Sequence, residues 1–194
     1  MIKAIIFDCF GVLTADTWVE FCNTLPQGEI VDTARRLNHQ YDSAKISLDV
    51  FLDEVSRVTG RARPDIAAIF AHPPSIKNAQ LFEYIQELSK TYKIGLLSNV
   101  ATNWAREEFL SEDDQKMFSA MAFSYEIGTT KPDPKSYEVI ADKLGVNPDE
   151  VVFIDDQPRY CEGAEAFGMK AVVYKNFPQM KAELEALISP VSDN

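Results

Sequence analysis

The sequence has few cysteines and a deficit of basic residues. Its three cysteines, Cys9, Cys22 and Cys161, form no C-x-x-C pair, so neither a disulfide framework nor a zinc site is indicated. Lysine and arginine number 19 against 30 acidic residues, which gives a net charge of −11 at pH 7. Nucleic acids and anionic membranes select basic surfaces. The sequence therefore predicts neither of them as a partner.

Long hydrophobic runs are also missing. The apolar run after Met1 is too short for a signal sequence, and no run is long enough to span a membrane. Together with the cysteine pattern, this favours a reduced, cytoplasmic location. A chain of 194 residues fits one domain, or one domain with a small insert, and is long enough to bury a sizeable core.

Three short apolar runs are each followed directly by polar side chains, as expected of buried parallel strands. They are Ala4 to Phe7 before Asp8, Ile94 to Leu97 before Ser98 and Asn99, and Val151 to Ile154 before Asp155 and Asp156. A further polar group, Lys131, lies in the proline-rich stretch 128–134. Open α/β folds bind ligands at the carboxyl ends of their strands, so these groups are expected to meet at that edge.

The order Asp, Ser, Lys and Asp-Asp at the ends of successive strands resembles the haloacid dehalogenase superfamily, most of whose members are Mg-dependent phosphohydrolases. The resemblance covers residue 2 to about 174, apart from the segment between 14 and about 75. It implies a doubly wound α/β fold with a parallel sheet and a Rossmann-like core. The first strand is expected to lie centrally, between the strands that carry Ser98 and Asp155.

The resemblance also implies a nucleophile and a metal site. A carboxylate such as Asp8 can attack phosphorus and form an aspartyl-phosphate. Asp155 and Asp156 would hold Mg²⁺ together with Asp8, because converging carboxylates repel each other and Mg²⁺ prefers hard oxygen ligands. The superfamily pattern adds the backbone carbonyl of Phe10 as a fourth ligand.

The remaining motif residues are expected to bind the phosphate. Ser98 and Asn99 would hold a phosphate oxygen through the hydroxyl and nearby backbone N–H groups. Lys131, in the family's K-P-D/E pattern, would neutralise charge on Asp8 and on the phosphoryl oxygens. The expected partner is a small phosphorylated molecule.

Residues 15–75 are predicted to form a small helical unit inserted after the first strand. Apolar spacing and capping residues predict helices over 16–25, 29–41, 47–59 and 65–71. In the superfamily a C1-type cap, which closes over the active site, occupies this place. The expected division is thus a core of residues 1–14 and 76–194 and a cap of residues 15–75. The chain is expected to be a monomer or a homodimer.

Helices and strands are predicted to alternate through the rest of the chain. Helices are expected over 78–91, 102–110 with an uneven continuation to 118, 134–144, 158–167 and 178–188. Strands are expected over 93–97, 121–125, 151–154 and 171–174. This alternation implies right-handed crossovers and a parallel sheet.

Phe10 is the main departure from the superfamily pattern. Most of its phosphatases carry a second Asp at this position, which acts as general acid and base. Phe10 cannot transfer a proton, and such help is typically worth about 10²–10⁴-fold in rate. A second departure is Tyr160, where many relatives have Asn; we expect it to alter only the support around the site.

Phe10 leaves three functions open. The expected one is a Mg-dependent phosphohydrolase of a small phosphomonoester, with sugar phosphates as candidates, since certain sugar-phosphate phosphatases also lack the second Asp. The 2-haloacid dehalogenases carry an aromatic residue here, which makes attack of Asp8 on carbon an alternative, although they do not keep an acidic pair at 155–156. The third is a non-catalytic protein that binds phosphate or Mg²⁺.

Several other residues invite a functional interpretation but are expected to be structural. Cys9 adjoins Asp8, but a cysteine phosphatase needs an arginine at position 15, where this chain has Ala15. Strand alternation also directs Cys9 away from Asp8. His39 and His72 are isolated in the sequence. The aromatic residues Trp18, Phe21 and Trp104 are candidates for either the core or a substrate pocket.

Overall fold

The computed structural model describes residues 1–71 and 76–189. Its centre is a five-stranded sheet in the order β3-β2-β1-β4-β5, and all neighbouring strands are parallel. The strands are β1 Ala4–Phe7, β2 Lys93–Ser98, β3 Ala120–Phe123, β4 Val151–Asp155 and β5 Lys170–Val173. The expected doubly wound α/β fold, with β1 at the centre between β2 and β4, is confirmed.

Helices fill the connections between the strands. Those that precede β2 are α1 Thr17–Asn23, α2 Glu29–Asp42, α3 Leu48–Thr59, α4 Arg63–Ala71 and α5 Ala79–Leu88. Those that follow β2 are α6 Glu112–Met117, α7 Ser124–Ile127, α8 Pro134–Leu144, α9 Pro158–Phe167 and α10 Phe177–Ile188. No helix in the described ranges is long and apolar enough to cross a membrane.

The sheet is covered on both faces, which explains why its central strand is continuously apolar. All four residues of β1 are buried. Ile5 and Phe7 pack with side chains of α5 and α10 on one face, whereas Ala4 and Ile6 pack with side chains of α8 and α9 on the other. The ends of β1, β2 and β4 are thereby held within a three-layer core.

Helices α1 to α4 build a second apolar cluster outside the sheet. Phe51, Leu52, Val55 and Ile66 form its buried centre, and Trp18 packs against them. The helix ends follow the sequence signals. Asp16 caps α1 by accepting a hydrogen bond from the Val19 N–H, Ser47 caps α3 by accepting one from the Val50 N–H, and Gly60 ends α3 in a left-handed conformation.

The helix expected over 102–118 is different in the structure. A π-helical turn spans Ala105–Phe109, the backbone is extended at Leu110, and α6 then begins separately. Ser111 and Asp114 form a reciprocal capping box at the start of α6. This local arrangement satisfies the first N–H groups of a new helix, so the chain does not continue the old one.

The third strand is shorter at its C-terminal end than the expected range of 121–125. It ends at Phe123, and Ser124 begins the one-turn helix α7, which stops at Gly128 in a left-handed conformation. The prediction for Tyr125 was therefore wrong. His72 and the last residues of the expected cap, 73–75, lie outside the described residues, as do residues 190–194.

Candidate active site

The polar residues singled out in the sequence meet at the carboxyl edge of the sheet. Asp8 follows β1, Ser98 ends β2 and Asp155 ends β4. The Asp8 N–H donates to the Ile154 carbonyl at 2.9 Å, which holds the loop after β1 against β4. The strand order reverses beside β1, so this crevice is a topological switch point of the kind that binds ligands in open α/β sheets.

Lys131 is the centre of the site. Its side chain is almost fully buried, and Nζ lies 2.7 Å from Asp8 Oδ1 and 2.6 Å from Asp155 Oδ2. Nζ also donates to the Leu97 carbonyl at 3.2 Å. The rings of Phe153 and Tyr160 lie 5.4 and 5.1 Å from Nζ. Lys131 is thus held between two carboxylates, with its orientation fixed by the surrounding groups.

The charges at the site perturb one another strongly. Burial raises the pKa of Asp8, and the charge of Asp155 raises it further, while Lys131 opposes both effects. Burial works against the charge of Lys131, but Asp155 and Asp8 outweigh it and raise the pKa of the ammonium group. Burial and the charge of Asp155 raise the pKa of Asp156 to about 6. Lys131 alone does not compensate three carboxylates.

The acidic groups have the arrangement of a cation site. Asp8, Asp155 and Asp156 each place one carboxylate oxygen within 4.8 Å of the others. Asp156 Oδ1 is buried and has no hydrogen-bond partner among the described residues. The oxygens of Asp155 already accept from Lys131 Nζ and from the Gln157 N–H. A hard divalent cation such as Mg²⁺ fits this oxygen set and its excess negative charge.

Gly11 supports this cluster in a way that the sequence did not reveal. Its φ of +84° suits glycine, and a Cβ atom placed there would lie 2.5 Å from Asp156 Cγ. The Gly11 N–H donates to the Thr14 carbonyl at 2.7 Å, which closes the loop after Asp8. The turn could be expected from a glycine, but the contact with a residue 145 positions later in the chain could not.

Ser98 and Asn99 have different surroundings. Ser98 is buried, and its Oγ has no hydrogen-bond partner within the described part of the chain. The side chain of Asn99 bridges the backbone of Lys131, since Oδ1 accepts from the Lys131 N–H at 2.9 Å and Nδ2 donates to the Lys131 carbonyl at 3.3 Å. Ser98 therefore offers a free hydroxyl, while Asn99 fixes the loop that carries Lys131.

Phe10 forms an aromatic wall beside the carboxylates. Its ring stacks on Trp104 with 5.4 Å between centroids, and Trp104 stacks on Phe109 at 5.0 Å. Both Phe10 and Trp104 line the cavity that contains Asp8. The side chain at this position therefore contributes apolar surface to the site. The expected metal contact of the Phe10 carbonyl stays a prediction.

A cavity with a volume of about 800 Å³ extends from the site towards α1 and α2. Its floor includes Asp8, Lys131 and Asp156. Residues of α1, of α2 and of the loop before α1 form another part of its wall; they include Asp16, Trp18, Asn38, Tyr41 and Asp42. None of the polar members of this wall belongs to a sequence motif. Only the helical spacing of 38 and 42 indicates that they share a face.

The remaining candidates divide between the apolar core and the cavity. Cys9 is fully buried in the core, as expected. Phe21 packs in the cluster of α1 to α4, whereas His39 lines the cavity and its ring meets the Thr130 hydroxyl, next to Lys131. The Tyr160 hydroxyl accepts from Arg159 at 2.7 Å.

The sequence matches a known protein family. The model of the haloacid dehalogenase-like hydrolases matches residues 2–168. The chain belongs to this family. The match includes all seven residues expected at the site, together with the helices between β1 and β2.

Relatives of this hydrolase differ greatly in length. The mouse (Mus musculus) protein acyl-CoA dehydrogenase family member 10 is 26% identical over 96% of this chain, which spans 19% of that protein. D-ribitol-5-phosphate phosphatase from Bacteroides thetaiotaomicron is 26% identical over 97% of this chain and 100% of that protein. The chain therefore spans about a fifth of the first relative and the full length of the second.

Solved structures of family members share the fold. A wild-type family enzyme from Bacteroides thetaiotaomicron, in complex with magnesium and inorganic phosphate, has a TM-score of 0.62 at 20% identity, over 90% of this chain and 95% of that one. L-2-haloacid dehalogenase from Xanthobacter autotrophicus, with chloropropionic acid covalently bound, has a TM-score of 0.64 at 22% identity, over 98% and 86%. At these identities the similarity establishes the fold of the hydrolase.

Proposed function

We propose that this hydrolase is a Mg-dependent phosphohydrolase that cleaves a small phosphomonoester through an aspartyl-phosphate on Asp8. The observation that carries the proposal is the cluster of three carboxylates, two of which are buried against Lys131, beside the free hydroxyl of Ser98. Such a cluster suits a cation and an incoming anion. One relative, D-ribitol-5-phosphate phosphatase, is named for a phosphorylated substrate, which supports the same class of reaction.

In the first step, an oxygen of Asp8 attacks phosphorus, the bond from phosphorus to the leaving oxygen breaks, and the leaving oxygen takes a proton from a water molecule. In the second step, water attacks phosphorus and releases a proton to solvent, the bond to Asp8 breaks, and phosphate leaves. The Lys131 ammonium, 2.7 Å from Asp8 Oδ1, compensates the charge on the phosphoryl oxygens throughout. The Ser98 hydroxyl donates to one of these oxygens, and Asn99 keeps the Lys131 loop in place.

Four groups would hold the metal ion: the side chains of Asp8, Asp155 and Asp156 and the carbonyl of Phe10. Asp156 offers the freest oxygen, because both oxygens of Asp155 already accept hydrogen bonds. When bound, Mg²⁺ would supply Lewis-acid stabilisation of phosphoryl charge. The magnesium and phosphate in a structural neighbour are consistent with this assignment.

We assign residues 1–14 and 76–194 to the catalytic core and residues 15–75 to a cap. Helices α1 to α4 have their own apolar cluster, and α1 and α2 contribute to the wall of the cavity above Asp8. In this arrangement the core performs the reaction, while the cap contacts the part of the substrate that does not react.

Dehalogenation is the second candidate, and Phe10 is the observation that favours it. An aromatic wall next to Asp8 suits a substrate in which carbon is attacked and halide leaves without a proton. The acidic pair argues for phosphate chemistry, because displacement of halide by Asp8 has no need of a cation.

Trapping the covalent intermediate tests the proposal. The protein is mixed with Mg²⁺ and p-nitrophenyl phosphate, quenched in acid and digested for mass spectrometry. We expect a phosphoryl group on the peptide that contains Asp8, and none in the presence of chelator or in Asp8→Asn. Steady release of nitrophenol without any phosphopeptide under these quench conditions would argue against the aspartyl-phosphate route. Asp65→Asn, an exposed carboxylate of α4, is the matched control.

A further inference from the structure

A pair of polar residues at the end of α2 lines the cavity. In the sequence, the pair lies outside the motifs that supply the other site residues. Asn38 and Asp42 are four residues apart, which places them on one face of the helix. Both line the cavity that contains Asp8. Asp42 is only 8% exposed, so its carboxyl group is a buried polar group in a wall of the active-site cavity.

The pair is held in place and has unused hydrogen-bonding capacity. Asn38 Nδ2 donates to Asp42 Oδ2 at 2.8 Å. Asn38 Oδ1 is buried and has no partner among the described residues. The backbone carbonyl of Asp42 accepts from the Ser124 Oγ at 2.6 Å, which ties this end of α2 to the core. Buried polar groups without partners are costly, and a ligand can satisfy them.

The carboxyl group of Asp42 holds its proton more strongly than an ordinary aspartate does. Burial is the main cause, and the nearby charge of Asp16 adds to it; together they raise the pKa of Asp42 to about 8. A protonated carboxyl group both donates and accepts hydrogen bonds. The side chain that donates to it is the neutral amide of Asn38, not a cation. This part of the wall therefore presents uncharged donors and acceptors.

Beside the pair, the wall combines aromatic rings with the carboxylate of Asp16, which accepts a hydrogen bond from the Val19 N–H. Trp18 and Tyr41 line the cavity beside the pair, and aromatic faces offer a flat apolar surface to a ligand. The arginine side chains of the cavity, Arg35, Arg36 and Arg159, are exposed to solvent. Neutral hydrogen-bonding groups next to aromatic rings are suited to hydroxyl groups on a carbon skeleton.

We propose that Asn38 and Asp42 bind hydroxyl groups of the part of the substrate that does not react, so that the leaving group is an uncharged polyol or sugar. The inference rests on the proposed phosphohydrolase function and names its substrate class. The pair is assigned to substrate binding and not to proton transfer.

The test compares two phosphomonoesters with the same five-carbon chain, a pentitol phosphate and n-pentyl phosphate. They differ in hydroxyl groups, so the ratio of their kcat/KM values measures hydroxyl recognition and cancels the common chemistry. We expect the wild type to prefer the pentitol phosphate. Asp42→Leu and Asn38→Leu should each lower the ratio by about ten- to hundredfold, because a buried hydrogen bond to substrate is lost.

Matched variants make the result specific. Asp42→Asn retains a donor and an acceptor in the same volume, and we expect it to keep most of the ratio. Asp65→Leu, on an exposed part of α4, should leave the ratio unchanged. Thermal unfolding confirms that each variant is folded.

Two outcomes separate the inference from the function on which it rests. Hydrolysis of both esters with an equal ratio in wild type, Asp42→Leu and Asn38→Leu would overturn the inference and leave the phosphohydrolase function intact. Hydrolysis of neither ester by the wild type, with Mg²⁺ present, would overturn the function and the inference together.

Discussion

Charge balance around Asp8 decides what the single residues of the site can do. Lys131 contacts both Asp8 and Asp155, yet the pKa of Asp8 is still raised by burial and by Asp155. A bound cation would oppose these effects and favour the ionised form of Asp8 that the proposed nucleophilic attack requires. The acidic pair on the neighbouring strand would hold that cation next to Asp8.

Asp8→Asn is expected to abolish turnover, because an amide oxygen cannot form the covalent intermediate. We expect kcat to fall by about 10³-fold or more, with Asp65→Asn as the control. The check is the rate of phosphate release at saturating substrate. Turnover near the wild-type rate in Asp8→Asn would remove both the phosphohydrolase and the dehalogenase mechanism.

Asp42 should make the stability of the protein depend on pH. Its pKa is about 8 in the folded state and about 3.9 in an unfolded chain. The folded state thus binds more protons between these values, and the free energy of unfolding falls as pH rises, by up to about 1.4 kcal/mol per unit. Above about pH 8 this contribution is constant.

Urea unfolding of wild type and Asp42→Asn between pH 5 and pH 9 measures that effect. We expect the wild type to lose stability relative to Asp42→Asn as pH rises to about 8, because Asn carries no titrating group. Asp65→Asn should follow the wild type. Parallel curves for wild type and Asp42→Asn would show that Asp42 is ionised in both states.

The sequence indicated the motif residues but not their supporting contacts. Asp8, Ser98 and Asp155 could be placed because each follows an apolar run that reads as a buried strand. The sequence could not reveal the bridge from Asn99 to the Lys131 backbone or the unpaired side-chain oxygen of Asn38. Both depend on side-chain positions across loops that have no shared periodicity.

At the scale of elements, the loop after β1 is the critical one. Gly11 has a φ of +84°, and any side chain there would collide with the carboxylate of Asp156. Gly128 has a similar φ of +80°, but a Cβ atom at that position would meet no neighbour within 4 Å. Comparing substitutions at the two glycines therefore separates the cost of the left-handed backbone from the cost of the collision with Asp156.

Gly128→Ala should lose about 1 kcal/mol of stability, the cost of a left-handed conformation for alanine, and Gly11→Ala should lose more because its Cβ atom would also collide with Asp156. Only Gly11→Ala should also weaken Mg²⁺ binding, by about tenfold or more, because it displaces Asp156. Calorimetric titration with Mg²⁺ and urea unfolding check the two effects. Equal Mg²⁺ affinities for the two variants would disprove the role of Gly11 at the metal site.

Element boundaries were predictable where local signals agree with packing. Helix α8 begins at Pro134 and ends before Gly145, as its sequence indicates, and β1 has the expected bounds. The prediction was wrong at Tyr125, because Ser124 is buried and its Oγ contacts Asp42 and Val100. These contacts link α2 to the core, and residue types along a single strand do not reveal them.

At the scale of the whole molecule, the net charge of −11 opposes the binding of an anionic substrate. The cluster of Lys131 with a bound cation would provide the local positive charge that a phosphate needs. The fold concentrates its acidic motif residues at one point, so metal binding is expected to stabilise the entire protein and not only a loop.

Thermal unfolding should reveal this coupling. At a Mg²⁺ concentration about 100 times Kd, binding to the folded state alone contributes about 2.7 kcal/mol, which raises Tm by roughly 5–10 °C for a chain of this size. NaCl at equal ionic strength is the control for screening. Asp156→Asn should show a much smaller rise, and an equal rise in both proteins would locate the Mg²⁺ effect elsewhere.

The measurement that tests the central claim most directly is product release with and without metal. A panel of phosphomonoesters and 2-chloropropionate are incubated with the protein in Mg²⁺ or in chelator, and phosphate and halide are quantified. We predict phosphate release that requires Mg²⁺ and no halide release. Halide release that persists in chelator, with no phosphate from any ester, would contradict the account and make Phe10 the better guide to the chemistry.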